Sequence, residues 1–316
     1  MPSTVSQGTQ ESKPKKSSAG VVIGIVLLGV LIASGYFGYI KWHLPKLAKA
    51  YIEKTEDKFK EVSGLVEKVK KDVEKNFDAD LKEEKEDKDI EEMTKEINDA
   101  YDLAEELIEK TKEAQDSIPF NLAAKDLDKK LKDHYKDALQ LGEDYKALIQ
   151  FYKNAIPLLE KYEKLANDVS EIEKSTINKP LDLTEVADKY REKAKEFEAL
   201  KKDFENLEEN EDTKKSEEII VDLMDNVVAY LDKSADVLDK LKKAADKKSE
   251  SLLNEAKREA DEVGSDFKKD LEDFDKKNKE DDKRIREIYT GKADDIFGMK
   301  SEIEKLYEEL KEKFGL

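Results

Sequence analysis

The chain has 316 residues, 43% of them charged, with 77 Asp and Glu against 59 Lys and Arg and a formal net charge of −18. It contains no Cys and only two His, so cysteine-ligated zinc and thiol catalysis are excluded. A surface this acidic repels nucleic acid and anionic lipid at long range, and binding to either is not expected by default.

Residues 1–18 are rich in Ser, Thr, Gln and Lys without an apolar pattern and read as a disordered polar tail. Residues 19–40 hold no charge at all. About 20 apolar residues cross a hydrocarbon core, so residues 19–41 are expected to form a transmembrane helix in contact with membrane lipid. Tyr36, Tyr39 and Trp42 gather at its carboxyl end, where amphipathic rings favour the headgroup layer. The alternative is a cleaved signal ending near Ala33, Ser34 and Gly35, although the apolar run continues past that point to Ile40. Gly20 and Gly24 form a G-x-x-x-G pair, a pattern that lets two membrane helices approach closely. Lysines flank the run on both sides, so they discriminate orientation poorly. A short basic leader before a single apolar segment favours export, which places the carboxyl-terminal domain outside the cytoplasm.

Behind the apolar run the hydrophobic residues recur at steps of three and four, the period of a helix and not of a strand. Phe59, Val62, Val66, Val69 and Val73 mark a helix from about residue 46 into the seventies, with Pro45 at its first turn. Residues 80–89 are an exposed turn or linker. Ile90, Met93, Ile97, Ala100, Ala104, Leu107, Thr111, Ala114 and Ile118 give the cleanest heptad seam, stopped by Pro119. A third helix after Asn121 carries Leu127, Leu131, Tyr135, Tyr145, Leu148, Tyr152, Leu159, Tyr162 and Val169, with Pro157 expected to kink it.

Residues 175–183 form a loop, and Asp182 with Glu185 forms a capping pair for a fourth helix through Val186, Tyr190, Phe197 and Phe204. Residues 209–215 form a charged turn, and Ser216 is placed to cap a fifth helix running to Phe274. The stretch 275–283 has no apolar residue and reads as the last turn, before a final helix bearing Ile285, Ile296, Ile303 and Leu310.

The expected fold is therefore all-α: one N-terminal transmembrane helix, then an elongated antiparallel helical bundle or coiled-coil region. The helices divide into a first bundle segment, 45–174, and a second, 182–316. Six helical segments with short connections and narrow apolar seams resemble, in shape, spectrin-type triple-helical repeats and membrane-anchored coiled-coil septation regulators. Spectrin repeats carry a tryptophan in the first helix, whereas this chain has only Trp42.

No glycine-rich phosphate loop or EF-hand spacing occurs. His43 reads as an interfacial histidine and His134 as a surface or partly packed one. The acidic groups Asp78, Asp80 and Glu84, and Asp275, Asp281 and Asp282, read as solvated charge. No catalytic residue, metal site or cofactor is expected. The expected function is a single-pass, non-enzymatic stalk or scaffold that tethers or spaces a protein partner at a membrane. A bundle that opens to bind a lipid or an amphipathic helix is the alternative. Partner binding or self-association is expected through Ile90, Ile97 and Leu107, and through Tyr135, Tyr145, Tyr152 and Tyr162.

Overall fold

The computed structural model describes residues 43–77, 90–119, 124–177, 182–208 and 210–316. The expected transmembrane helix, with Gly20 and Gly24, lies outside these residues, as do Asp78, Asp80 and Glu84. Among the described residues no helix is long and apolar enough to cross a membrane.

The described residues form six helices and no strand. These are α1 (Leu44–Asn76), α2 (Ile90–Ser117), α3 (Lys125–Ile177), α4 (Leu183–Glu205), α5 (Lys214–Lys247) and α6 (Glu250–Phe314). The buried stripe of α1 runs Tyr51, Ile52, Phe59, Val62, Val66, Val69 and Val73.

Cross-helix pairs set the directions. Lys75 reaches Glu96 at 3.1 Å and Lys58 donates to the Glu113 carbonyl, so α2 runs back along α1. Ser63 meets His134 and Tyr145 donates to Asp72, so α3 runs parallel to α1. Lys161–Asp203 and Lys193–Asp168 turn α4 back along α3, and Arg191–Asp236 and Lys201–Asp225 send α5 outward again. Finally α6 descends the whole way. It pairs Glu259 with Lys240 on α5, then Asp294 with Lys70 and Lys311 with Glu56 on α1.

Two hydrophobic cores result, end to end along α6. The first joins α1, α2, the amino-terminal part of α3 up to Ile149, and the carboxyl-terminal part of α6 from Ile285. The second joins α3 from Ala155, α4, α5 and, at its edge, Phe267 and Phe274 of α6. The cores therefore cut across the sequential segments 45–174 and 182–316. Both α3 and α6 pass through both cores. At 1.5 Å per residue the 65 residues of α6 give a contour of roughly 98 Å.

Two boundaries differ from expectation. The fifth helix breaks at Lys248, which takes left-handed angles (φ 51°), and Ser249 caps α6 by accepting from the Leu252 amide. Residues 275–283 are helical. Lys277–Asp273 and Lys279–Asp275 pairs support the turn from outside, at i,i+4 spacing. Asp281 and Asp282 are buried on its inner side. Asp182 caps α4 as expected, accepting from the Thr184 amide at 3.0 Å.

Candidate functional site

The polar groups of greatest chemical interest lie where the two cores meet. The α4–α5 turn closes on itself at this level: Asn210 Oδ1 accepts from the amides of Asp212 and Thr213, both at 2.9 Å. Thr213, not Ser216, is the first residue of the α5 cap. Ser216 instead donates to Asp281 of α6 at 2.6 Å, while Arg284 Nε donates to the other Asp281 oxygen at 2.7 Å. Arg284 also donates through Nη2 to the Asp212 carbonyl. Asp281 is only 3% exposed, and this fork satisfies it.

About two turns beyond Asp281 along α6, the Tyr289 hydroxyl lies 3.0 Å from both the Asp144 carbonyl of α3 and the Asp212 carboxylate. Lys292 lies 2.8 Å from Asp144 and 4.9 Å from the centre of the Tyr289 ring. Tyr145 packs edge-on against Tyr289 and donates to Asp72 of α1. Burial holds the Asp72 carboxyl above the ordinary carboxylate range even though that hydrogen bond opposes the shift. Tyr152, half-buried, has its ring 5.7 Å from that of Phe77 at the end of α1. Four helices and one turn are thus fastened together at a single level.

A second polar cluster sits within the first core. His134 is fully buried, with Nε2 3.3 Å from Ser63 Oγ and its ring 5.0 Å from Phe59. Burial lowers its pKa to about 4, so the imidazole is neutral. Thr55 receives a 2.9 Å hydrogen bond from Tyr307. His134 Nδ1, the Tyr135 hydroxyl and the Thr111 hydroxyl are buried without a hydrogen-bond partner. The reading of His134 as a surface or partly packed histidine is therefore corrected: it is fully buried. The signal was present: Leu127, Leu131, His134, Ala138, Leu141, Tyr145 and Leu148 alternate steps of four and three, and all are buried. Asp281 and Asp282 were also misread as solvated. Extending the Ile285 and Tyr289 stripe back by one turn lands on them.

Leu107, Tyr135 and Tyr145 are buried inside the chain's own first core. They face α-helical neighbours of the same molecule and offer no outer surface. Ile97 and Tyr152 pack at the edge of that core, Tyr162 at the edge of the second, and Ile90 is half-buried at the start of α2. His43 is exposed at the head of α1.

No group of three or more His, Cys, Asp or Glu side chains placed to hold a metal ion occurs among the described residues. Ser216 bonds to a carboxylate already engaged by Arg284, and Ser63 meets a buried histidine packed beside the Phe59 ring. No protein-family model matches the chain, and neither the curated proteins nor the solved structures yield a match.

Proposed function

We propose that this chain is a single-pass, membrane-anchored, non-enzymatic rod that holds a protein partner at a fixed distance from a bilayer, with the rod on the extracytoplasmic side. One observation carries the reading: α3 and α6 each run unbroken through both cores. A linker between bundles would allow them to swing, whereas two shared helices keep them in line. The end of the rod where α1 begins follows directly on the apolar run of residues 19–40. The opposite end, formed by the α3–α4 and α5–α6 reversals, is the place for a partner. Small-angle scattering of the detergent-solubilised chain tests the shape: a maximum dimension on the order of 100 Å beyond the detergent belt agrees with the contour of α6. A compact particle refutes the spacer role. Protease protection on intact cells tests the side of the membrane.

A second reading, opening of the outer bundle onto a lipid or an amphipathic helix, draws on one feature. The amino-terminal half of α6 leaves Leu253 (36%) and Leu271 (39%) exposed, and their separation of five helical turns aligns them on one face. Flotation of the anchor-free chain with liposomes, with loss of the α5–α6 proximity, supports this reading; absence of flotation favours the rod.

A further inference from the structure

We propose that the end face of the first bundle is a docking surface for anionic lipid headgroups, so that the rod stands on its base at the bilayer. This rests on the anchored reading above and adds how the rod meets the membrane.

Three separate stretches of chain converge on that end. The start of α1 brings Lys46 and Lys49, the start of α3 brings Lys125, and the last turn of α6 brings Lys313, all four exposed. Their convergence follows from the register: Tyr51 reaches Asp128 of α3 at 3.4 Å, and Lys311 reaches Glu56 of α1 at 3.2 Å. The ends of α3 and α6 therefore lie beside the head of α1.

The charge there is reversed relative to the whole. Residues 43–50, 118–126 and 310–316 hold five Lys side chains against Asp126 and Glu312, in a chain of net charge −18. At the far end, the described residues 174–177, 182–185 and 246–252 hold Lys174, Lys247 and Lys248 against Asp182, Glu185, Asp246 and Glu250. Lys49 pairs with Glu53, and Lys311 with Glu56 and Glu308, so the cationic face is carried by Lys46, Lys125 and Lys313, against a slightly acidic tip. Phe314, Ile118 and Pro119 are half-buried among the basal lysines, and Leu316 is 47% exposed. Lys313 lies 5.5 Å from the Phe314 ring centre. Lysines bordering apolar side chains suit the headgroup boundary, where stems and rings sit inward and ammonium groups meet phosphate.

The path of the chain supplies the occupant. The structure enters at His43 through this face, and the uncharged run of residues 19–40 ends three positions earlier. A bilayer holding that run lies within about one Debye length of the basal lysines, close enough for attraction that the acidic shaft does not feel.

The chain has no Cys, so Leu316→Cys and Lys247→Cys each give one thiol for a fluorophore, at base and tip. Full-length protein is reconstituted in vesicles of phosphatidylcholine alone, or mixed with phosphatidylglycerol, each doped with a headgroup-quencher lipid. Docking predicts several-fold stronger quenching at the base than at the tip in anionic vesicles. That difference shrinks with added salt and in a Lys46→Gln, Lys49→Gln, Lys125→Gln, Lys313→Gln variant whose helicity is unchanged. Equal quenching at both labels, in protein that resists alkaline extraction, overturns the docking and leaves the anchor standing. Complete alkaline extraction of the protein overturns the anchor and the docking together. Basal quenching that ignores both lipid charge and the four substitutions also overturns it, because tethering alone then holds the base at the membrane.

Discussion

His134 should make the first bundle sensitive to mild acid. Its pKa lies near 6.5 in the unfolded chain and is lowered to about 4 in the fold by burial, with Lys300 nearby acting in the same direction. Because the unfolded chain takes up the proton first, stability is complete above pH 6.5. It declines as pH falls through the window and stops declining from this source below about 4. At ~1.36 kcal/mol per pH unit, that window corresponds to about 3 kcal/mol. The Ile296 backbone opposes the shift only in part, and burial wins: the ring has Ser63 on one side and the Phe59 ring at 5.0 Å. Urea unfolding followed by far-ultraviolet circular dichroism, at a series of pH values, measures the decline. His134→Gln is the control, since it keeps a polar group at the site and removes the titration. Carboxylates elsewhere contribute equally to both proteins, so the difference between the two profiles isolates the imidazole. Parallel profiles between pH 6.5 and about 4 would refute a buried, neutral His134.

Two glycines should respond to alanine with opposite sign. A Cβ at Gly142 would lie 2.9 Å from Ile108 Cγ1 and 3.4 Å from Leu107, so Gly142→Ala should destabilise by about 1–3 kcal/mol through forced separation of α2 and α3. Gly264 meets nothing within 4 Å, and Gly264→Ala should stabilise α6 by about 0.5–1 kcal/mol, both read from thermal or urea midpoints. Leu107→Ala should cost about 2–5 kcal/mol because the side chain is fully buried, whereas Ile90→Ala, half-buried at the start of α2, should cost less than half as much. Asp281→Ala leaves Arg284 and Ser216 without their shared acceptor and should cost about 3–5 kcal/mol. A double-mutant cycle with Ser216→Ala should then show coupling above about 0.5 kcal/mol, and strict additivity would remove Ser216 from the fork.

The helices were legible because their seams obey one arithmetic. In α2, the predicted stripe Ala100, Ala104, Leu107, Thr111 and Ala114 is the buried stripe, and only its ends are half-exposed. What the periodicity could not show is where a helix reverses without glycine or proline. Ala245 and Leu252 stay in phase in the sequence, yet in the structure Ala245 is exposed and Ala244 is buried, because one left-handed residue, Lys248, breaks the helix between them. The converse error has the same origin. Residues 275–283 lack apolar side chains, yet the inward positions are filled by Asp281 and Asp282, and Asp281 is held by Ser216 from 65 residues away as well as by Arg284 three residues further along its own helix. Hydrophobic patterning sees a gap wherever a buried position is polar. The tyrosines were ambiguous for a related reason. Tyr145 and Tyr289 bury their rings while their hydroxyls reach Asp72, Asp144 and Asp212, a combination that composition alone assigns equally well to a surface.

Continuity of α6 through 275–283 also decides how the two cores communicate. Had that stretch been a turn, the outer bundle could unfold while the inner one stayed intact. As built, α6 carries Phe267 and Phe274 in one core and Tyr289 and Ile296 in the other, with Asp281 held between them. Fraying the outer half therefore removes the support of the junction before it reaches Ile285, and the fork of Ser216, Asp281 and Arg284 is the barrier to that progress. The same fork resists bending, because a tilt of one bundle against the other must stretch charge-assisted hydrogen bonds in a buried setting. Asp281→Asn keeps the shape and weakens the charge, so it should leave helicity unchanged while raising amide exchange around residues 275–285 and widening the scattering-derived distribution of end-to-end lengths. Unchanged exchange there would mean that the apolar stripes alone, and not this polar junction, hold the two cores together.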